Sequence, residues 1–169
     1  VGTGAEGSVP RPTSSPARTL PALMALVGQA GALVSAGDSE GALTVVELGL
    51  RGGKGGVGGA AAPSLYLAKL QALLELGRRD EAVEALGAGR RAVEDAFGKG
   101  SLHPLLSQMS MAMGTHFYRK GALYEASEHI IEAIDLATNA LGSAHPSIAQ
   151  YCTTLGLVRH AEGHWTAAI

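Results

Sequence analysis

The sequence predicts an all-α chain, built as an array of antiparallel helix hairpins. Three observations carry this. First, the 169 residues are 46% apolar but only 4% aromatic, with Ala, Leu and Gly dominant. Such a composition suits closely packed helices better than sheets, which favour β-branched and aromatic residues. Second, Gly37, Gly77, Gly121 and Gly163 recur 40, 44 and 42 residues apart, and each is followed five positions later by an alanine (Ala42, Ala82, Ala126, Ala168). Third, Pro21, Pro63, Pro104 and Pro146 recur 42, 41 and 42 apart. Internal periods of this size mark a stacked array.

Each landmark has a physical reason. Proline suits the first helical turn, where its missing N–H costs no hydrogen bond. Glycine ends a helix well, because it enters the left-handed conformation cheaply. The alanine in the following helix lets two backbones approach. Small residues recur seven before the turn glycine (Ala30, Gly114, Gly156) and seven after the corner alanine (Gly49, Gly89, Ala133). Leu33, Leu73, Phe117, Val46, Leu86 and Ile130 supply the bulk of each interface. Leu70 stands where the second unit should be small, which predicts looser packing there.

Taken in order, residues 1–18 are rich in Gly, Pro, Ser and Thr and read as a disordered linker. The domain then spans 19–169, in repeats of about 20–62, 63–103, 104–145 and an incomplete 146–169. Helices are expected at 20–36, 39–50, 63–76, 79–97, 104–119, 122–141, 146–161 and from 164 onward. A Gly-rich insert at 51–62 interrupts the first repeat boundary. Gly87 and Gly89 should make 79–97 the weakest helix, at roughly 1 kcal/mol each against alanine. The apolar run Leu20–Val34, with Arg11 and Arg18 before it, has some signal-peptide character. It is short for a membrane span and fits the repeat register as a buried helix. The chain opens on Val1 rather than Met and stops at Ile169 inside a helical pattern, so it reads as a piece of a longer protein.

The pattern resembles the tetratricopeptide repeat (TPR). With a period near 42 rather than 34, and the connector Leu141-Gly142-Ser143-Ala144-His145-Pro146, it is similar to the extended repeats of kinesin light chains. Leu76-Gly77, Glu81-Ala82 and Gly100-Ser101-Leu102-His103-Pro104 also resemble the C-terminal helical domain of the SET- and MYND-domain lysine methyltransferases. Neither the cysteine-rich zinc segment nor the catalytic core of those enzymes is visible. The TPR resemblance implies a right-handed superhelical α-solenoid, a non-enzymatic protein-binding scaffold, and a cytoplasmic or cytoskeleton-associated setting. The second resemblance implies a non-catalytic tail that shapes a methyltransferase cleft.

Chemistry-bearing motifs are weak. Gly52-Gly53-Lys54-Gly55-Gly56-Val57-Gly58-Gly59 resembles the phosphate loop of the deviant Walker-A ATPases. However, Gly59 and Ala60 stand where its final Lys and Ser/Thr belong, and a helix precedes it rather than a strand. His160 and His164 have metal-ligand spacing, but Gly163 separates them at a corner. His103 and His145 precede helix-opening prolines and are expected to cap or pack at the joints. Cys152, the single cysteine, is expected as a buried thiol in a reducing compartment. Net charge is −2 with no basic stripe, which argues against nucleic acid and acidic membranes.

No catalytic residue, metal or cofactor is therefore expected. The partner is expected to be another protein or a peptide, with neither nucleic acid, nor membrane, nor small-molecule cofactor. In the TPR resemblance the first helix of each hairpin lines a concave face. Counting back from the corners places Gln71 and Glu75 there, then Gln108, Met111, Thr115, Tyr118 and Arg119, then Gln150, Thr153, Leu157 and His160. This mixed lining suits an extended peptide or a partner helix. It lacks the Lys/Asn/Arg set that clamps chaperone C-terminal carboxylates.

Overall fold

In a computed structural model, residues 19–52 and 59–163 are described. Among these residues every regular element is a helix: α1 (Leu20–Ser35), α2 (Ser39–Gly52), α3 (Ala62–Glu75), α4 (Arg79–Phe97), α5 (Pro104–Arg119), α6 (Leu123–Leu141) and α7 (Pro146–Ala161). No described helix is long and apolar enough to cross a membrane. The linker at 1–18, the core of the phosphate-loop-like insert, and the eighth helix with His164, Trp165 and Ala168 lie outside the described residues.

The turns explain the hairpins. Gly37, Gly77 and Gly121 all take positive φ, at 83°, 74° and 77°. At each, the glycine N–H reaches back three residues and the next N–H reaches back five: Asp38 to Leu33, Arg78 to Leu73, Ala122 to Phe117. This is the Schellman closure, which satisfies the last carbonyls of a helix and reverses the chain. Gly163 repeats the conformation at φ 82°. The corner alanines Ala42, Ala82 and Ala126 are wholly buried.

The joints between hairpins are also alike. Gly98 and Gly142 end α4 and α6 with φ 97°, ψ 155° and φ 85°, ψ 153°. His103 and His145 then cap the next helices, their Nδ1 atoms accepting from the Leu105 and Ser147 N–H groups at 3.3 and 3.2 Å. The helix-ending glycine equivalent to Gly142 is thus Gly98, not Gly100, because the first joint carries two extra residues. Phe97 stacks on the His103 ring there, centroids 4.2 Å apart.

Sequence neighbours pack against one another throughout, and the odd helices also touch in succession: α1 on α3, α3 on α5, α5 on α7. Among the described residues the even helices come close in backbone only to their chain neighbours, and a side-chain pair, Arg90 with Glu132, joins α4 to α6, so two layers form. The central core draws on both, with Leu43, Leu70, Leu73, Leu86, Met109, Met113, Phe117, Ile130 and Val158. Leu70 is fully buried in it. α2 runs two residues further than expected, through Gly52, and α3 begins at Ala62, so the insert is narrower than 51–62.

Cys152 corrects an expectation, since it is exposed. It sits where Ser110 sits on α5. Ser110 is covered by α6, whereas no described helix follows α7.

Candidate functional site

The odd-helix layer forms a groove of about 510 Å³, with contributions from all four of its helices. Its lining follows from the repeat. α1 offers Val34 and Ser35, α3 Gln71 and Glu75, α5 Gln108, Met111, Thr115 and Arg119, and α7 Tyr151. Six of the residues singled out from sequence therefore meet in one concavity: Gln71, Glu75, Gln108, Met111, Thr115 and Arg119. The other five do not line it. Tyr118 is half-buried and packs on the central core. Gln150, Thr153, Leu157 and His160 are exposed on α7 outside the groove, and the Thr153 hydroxyl donates to the Ala149 carbonyl. α7 presents Tyr151 instead. It leans mainly on α6 and touches α5 over a short stretch.

One polar link crosses the groove. The Arg119 guanidinium donates two hydrogen bonds to the Glu75 carboxylate, Nη1 to Oε1 at 2.6 Å and Nη2 to Oε2 at 3.2 Å. Both residues stand two before a turn glycine, so equivalent positions in successive hairpins are bridged. The Arg119 hydrogen bonds hold the Glu75 carboxyl below its ordinary value, and Glu75 raises Arg119 in turn. The pair is half-exposed, and such pairs are worth at most about 1 kcal/mol. Its interest is therefore positional: it fixes the charge the groove presents.

His116 and Leu74 also line the groove and went unmarked by the sequence pattern. The signal for His116 was present, since it stands three before Arg119 on the same helical face.

A second network ties the same hairpins together behind the groove. Glu132 of α6 accepts from Arg90 of α4 at 2.5 Å and from the buried Ser110 of α5 at 2.9 Å. His129, Arg90 and Ser110 hold the Glu132 carboxyl down to about 2. Of these, Arg90 and Ser110 lie within hydrogen-bond range, whereas the His129 ring at 3.7 Å acts by charge when protonated. Ser110 is wholly buried, which leaves it unreachable as a nucleophile.

A larger cavity of about 640 Å³ lies between α2, α3 and α4, with an apolar floor of Leu50, Leu65 and Ala92. Its rim carries charges of both signs, Arg51, Lys69 and Arg91 against Glu47 and Asp95. Among the described residues no group of three or more His, Cys, Asp or Glu is placed to hold a metal ion.

No protein-family model matches the chain, and no curated protein matches it.

Proposed function

We propose that the chain is a TPR-like, right-handed superhelical scaffold that binds an extended peptide or a partner helix along its odd-helix groove. The observation that carries this is the groove itself, one concavity lined from four helices that the chain places two elements apart. Three features support the repeat reading: the thrice-repeated Schellman turn, the buried corner alanines, and the paired His-Pro joints. The lining suits peptide recognition. Gln71, Gln108 and Thr115 offer donors and acceptors for a peptide backbone, Met111 an adaptable apolar contact, and the Glu75–Arg119 pair a charge reference. In this reading the chain is a cytoplasmic binding module, not an enzyme, with an exposed thiol suited to a reducing compartment.

The test is selection of a displayed random-peptide library on the 169-residue chain. Enriched peptides should lose at least about tenfold in affinity to Met111→Glu and to Gln108→Arg. They should bind undiminished to Val83→Glu, whose site is exposed on α4 away from the groove. Failure to enrich any peptide, or enriched peptides indifferent to the groove changes, would sink the reading.

A further inference from the structure

Two buried ionisable side chains line the groove, Tyr151, which packs with Ala133 and Ala137, and His116, which belongs to no apolar cluster. His116 is 7% exposed, and its ring meets Phe117 edge-on with centroids 6.1 Å apart. It shares the groove wall with Glu75 and Arg119. Every helix packed on α5 brings a titratable or charged group to this region. α5 itself supplies Arg119, with Lys120 directly after it, and α3 supplies Glu75. α4 supplies Arg79, whose guanidinium lies 4.7 Å over the Phe117 ring. α6 supplies His129, stacked on Phe117 at 5.4 Å, and α7 supplies Tyr151. His116 thus sits among three fixed cations and one carboxylate, in a site that excludes much of the water. Burial first, then Lys120 and Arg119, push its pKa below the ordinary 6.5, against the pull of Glu75.

That carboxylate is already engaged, because Arg119 grips it with two hydrogen bonds. A proton on His116 acts on both partners at once. It attracts Glu75 and repels Arg119. In the other direction, swinging Arg119 away removes one cation and frees Glu75 to face the imidazolium. Protonation and opening therefore favour each other, and by linkage each shifts the other's equilibrium equally.

We propose that His116 is an acid trigger for the groove, its protonation opening the Glu75–Arg119 bridge between the second and third hairpins. The bridge is closed while His116 is neutral and yields as pH falls through the His116 midpoint, which lies below that of an ordinary histidine. The consequence for a partner rests on the groove reading: a segment bound against the closed bridge is released on acidification. The switch itself needs no partner, so it can fail while the peptide selection succeeds, and the reverse.

The experiment is side-chain NMR on the 169-residue chain from pH 8 to pH 5, following the His116 imidazole and the Arg119 guanidinium. Slow rotation of that guanidinium marks a two-pronged bridge. The His116 midpoint should lie below 6.5, and Arg119 should lose its hindered rotation with the same midpoint. Arg119→Gln should move the His116 midpoint up, and Glu75→Gln should move it down. His116→Gln should leave Arg119 hindered across the whole range. If Arg119 stays hindered through the His116 titration, or loosens equally in His116→Gln, the proposal is overturned. Should His116→Gln fail to fold, the coincidence of the two midpoints and their opposite shifts in the two exposed-site variants still decide it.

Discussion

At the scale of the residue, the glycines show how context sets the sign of a substitution. Gly87 and Gly114 are both helical, and a propensity table treats them alike. A Cβ on Gly87 would meet nothing within 4 Å. A Cβ on Gly114 would stand 2.6 Å from Ile130 Cγ1 and 3.2 Å from the Ala126 carbonyl oxygen and the Ile130 backbone nitrogen. Gly87→Ala should therefore stabilise by about 0.5–1 kcal/mol, through the lower entropy of the unfolded chain. Gly114→Ala should destabilise by about 1–3 kcal/mol, because α6 must shift to admit it. Denaturant midpoints moving in opposite directions would confirm the register; a stabilised Gly114→Ala would refute it. The close approach at Gly114 was legible in sequence, since it stands seven before a turn glycine. The exposure of Cys152 was not. Burial is a property of a pair: Ser110 is covered by α6, and among the described residues no helix follows α7 to stand against Cys152 in the same way.

At the scale of the element, helix ends were legible to within about two residues because they are chemically marked. Proline in the first turn, histidine before it and glycine after the last turn each act locally, within hydrogen-bond reach of the backbone they terminate. What joins one hairpin to the next was not legible in the same way. Arg90 with Glu132 and Glu75 with Arg119 are pairs more than forty residues apart. Nothing local announces them; they follow only once the layers are set. The Glu132 cluster has a measurable consequence. Its carboxyl sits near 2 in the folded protein, against an ordinary value of 4.5. A depressed carboxylate stabilises the fold at pH above the unfolded value, and that stabilisation is lost as pH falls from about 4.5 through about 2. Glu132→Gln should thus be less stable than the parent at pH 7, and the gap should close as pH approaches 2. The group is partly exposed, so solvent screens the effect and the direction is the prediction. Matched urea unfolding at several pH values reads it. A gap that persists unchanged at pH 2 would mean that packing, not charge, makes the difference.

At the scale of the whole molecule, stability should be graded along the described helices. Among the described helices the middle ones have described neighbours on two sides, whereas α1 and α7 have them on one. The burial pattern already shows this. α3, α4 and α5 each bury six or seven residues, whereas α1 buries Leu23 and Ala30, and α7 buries Tyr151 and Val158; α4, expected from Gly87 and Gly89 to be the weakest helix, is thus among the best covered, with Gly89 closely packed against Met109 and Tyr66. Apolar burial sets local opening free energy, so amide hydrogens in α3–α6 should exchange only by the largest opening, and those of α1 and α7 by smaller ones. Native-state hydrogen exchange on the chain should show protection rising from α1 into α3–α5 and falling again by α7. Uniform protection across the seven described helices would instead describe a single cooperative core. The same gradient bears on the groove. Its floor lies on α3 and α5, in the most protected part, while its edges are Val34 and Ser35 of α1 and Tyr151 of α7, in the least. A partner laid along the groove contacts both edges, so binding should raise protection at α1 and α7 more than at α3 and α5. That differential separates a ligand spanning the groove from one held only at the Glu75–Arg119 bridge, which would leave both ends exchanging as before.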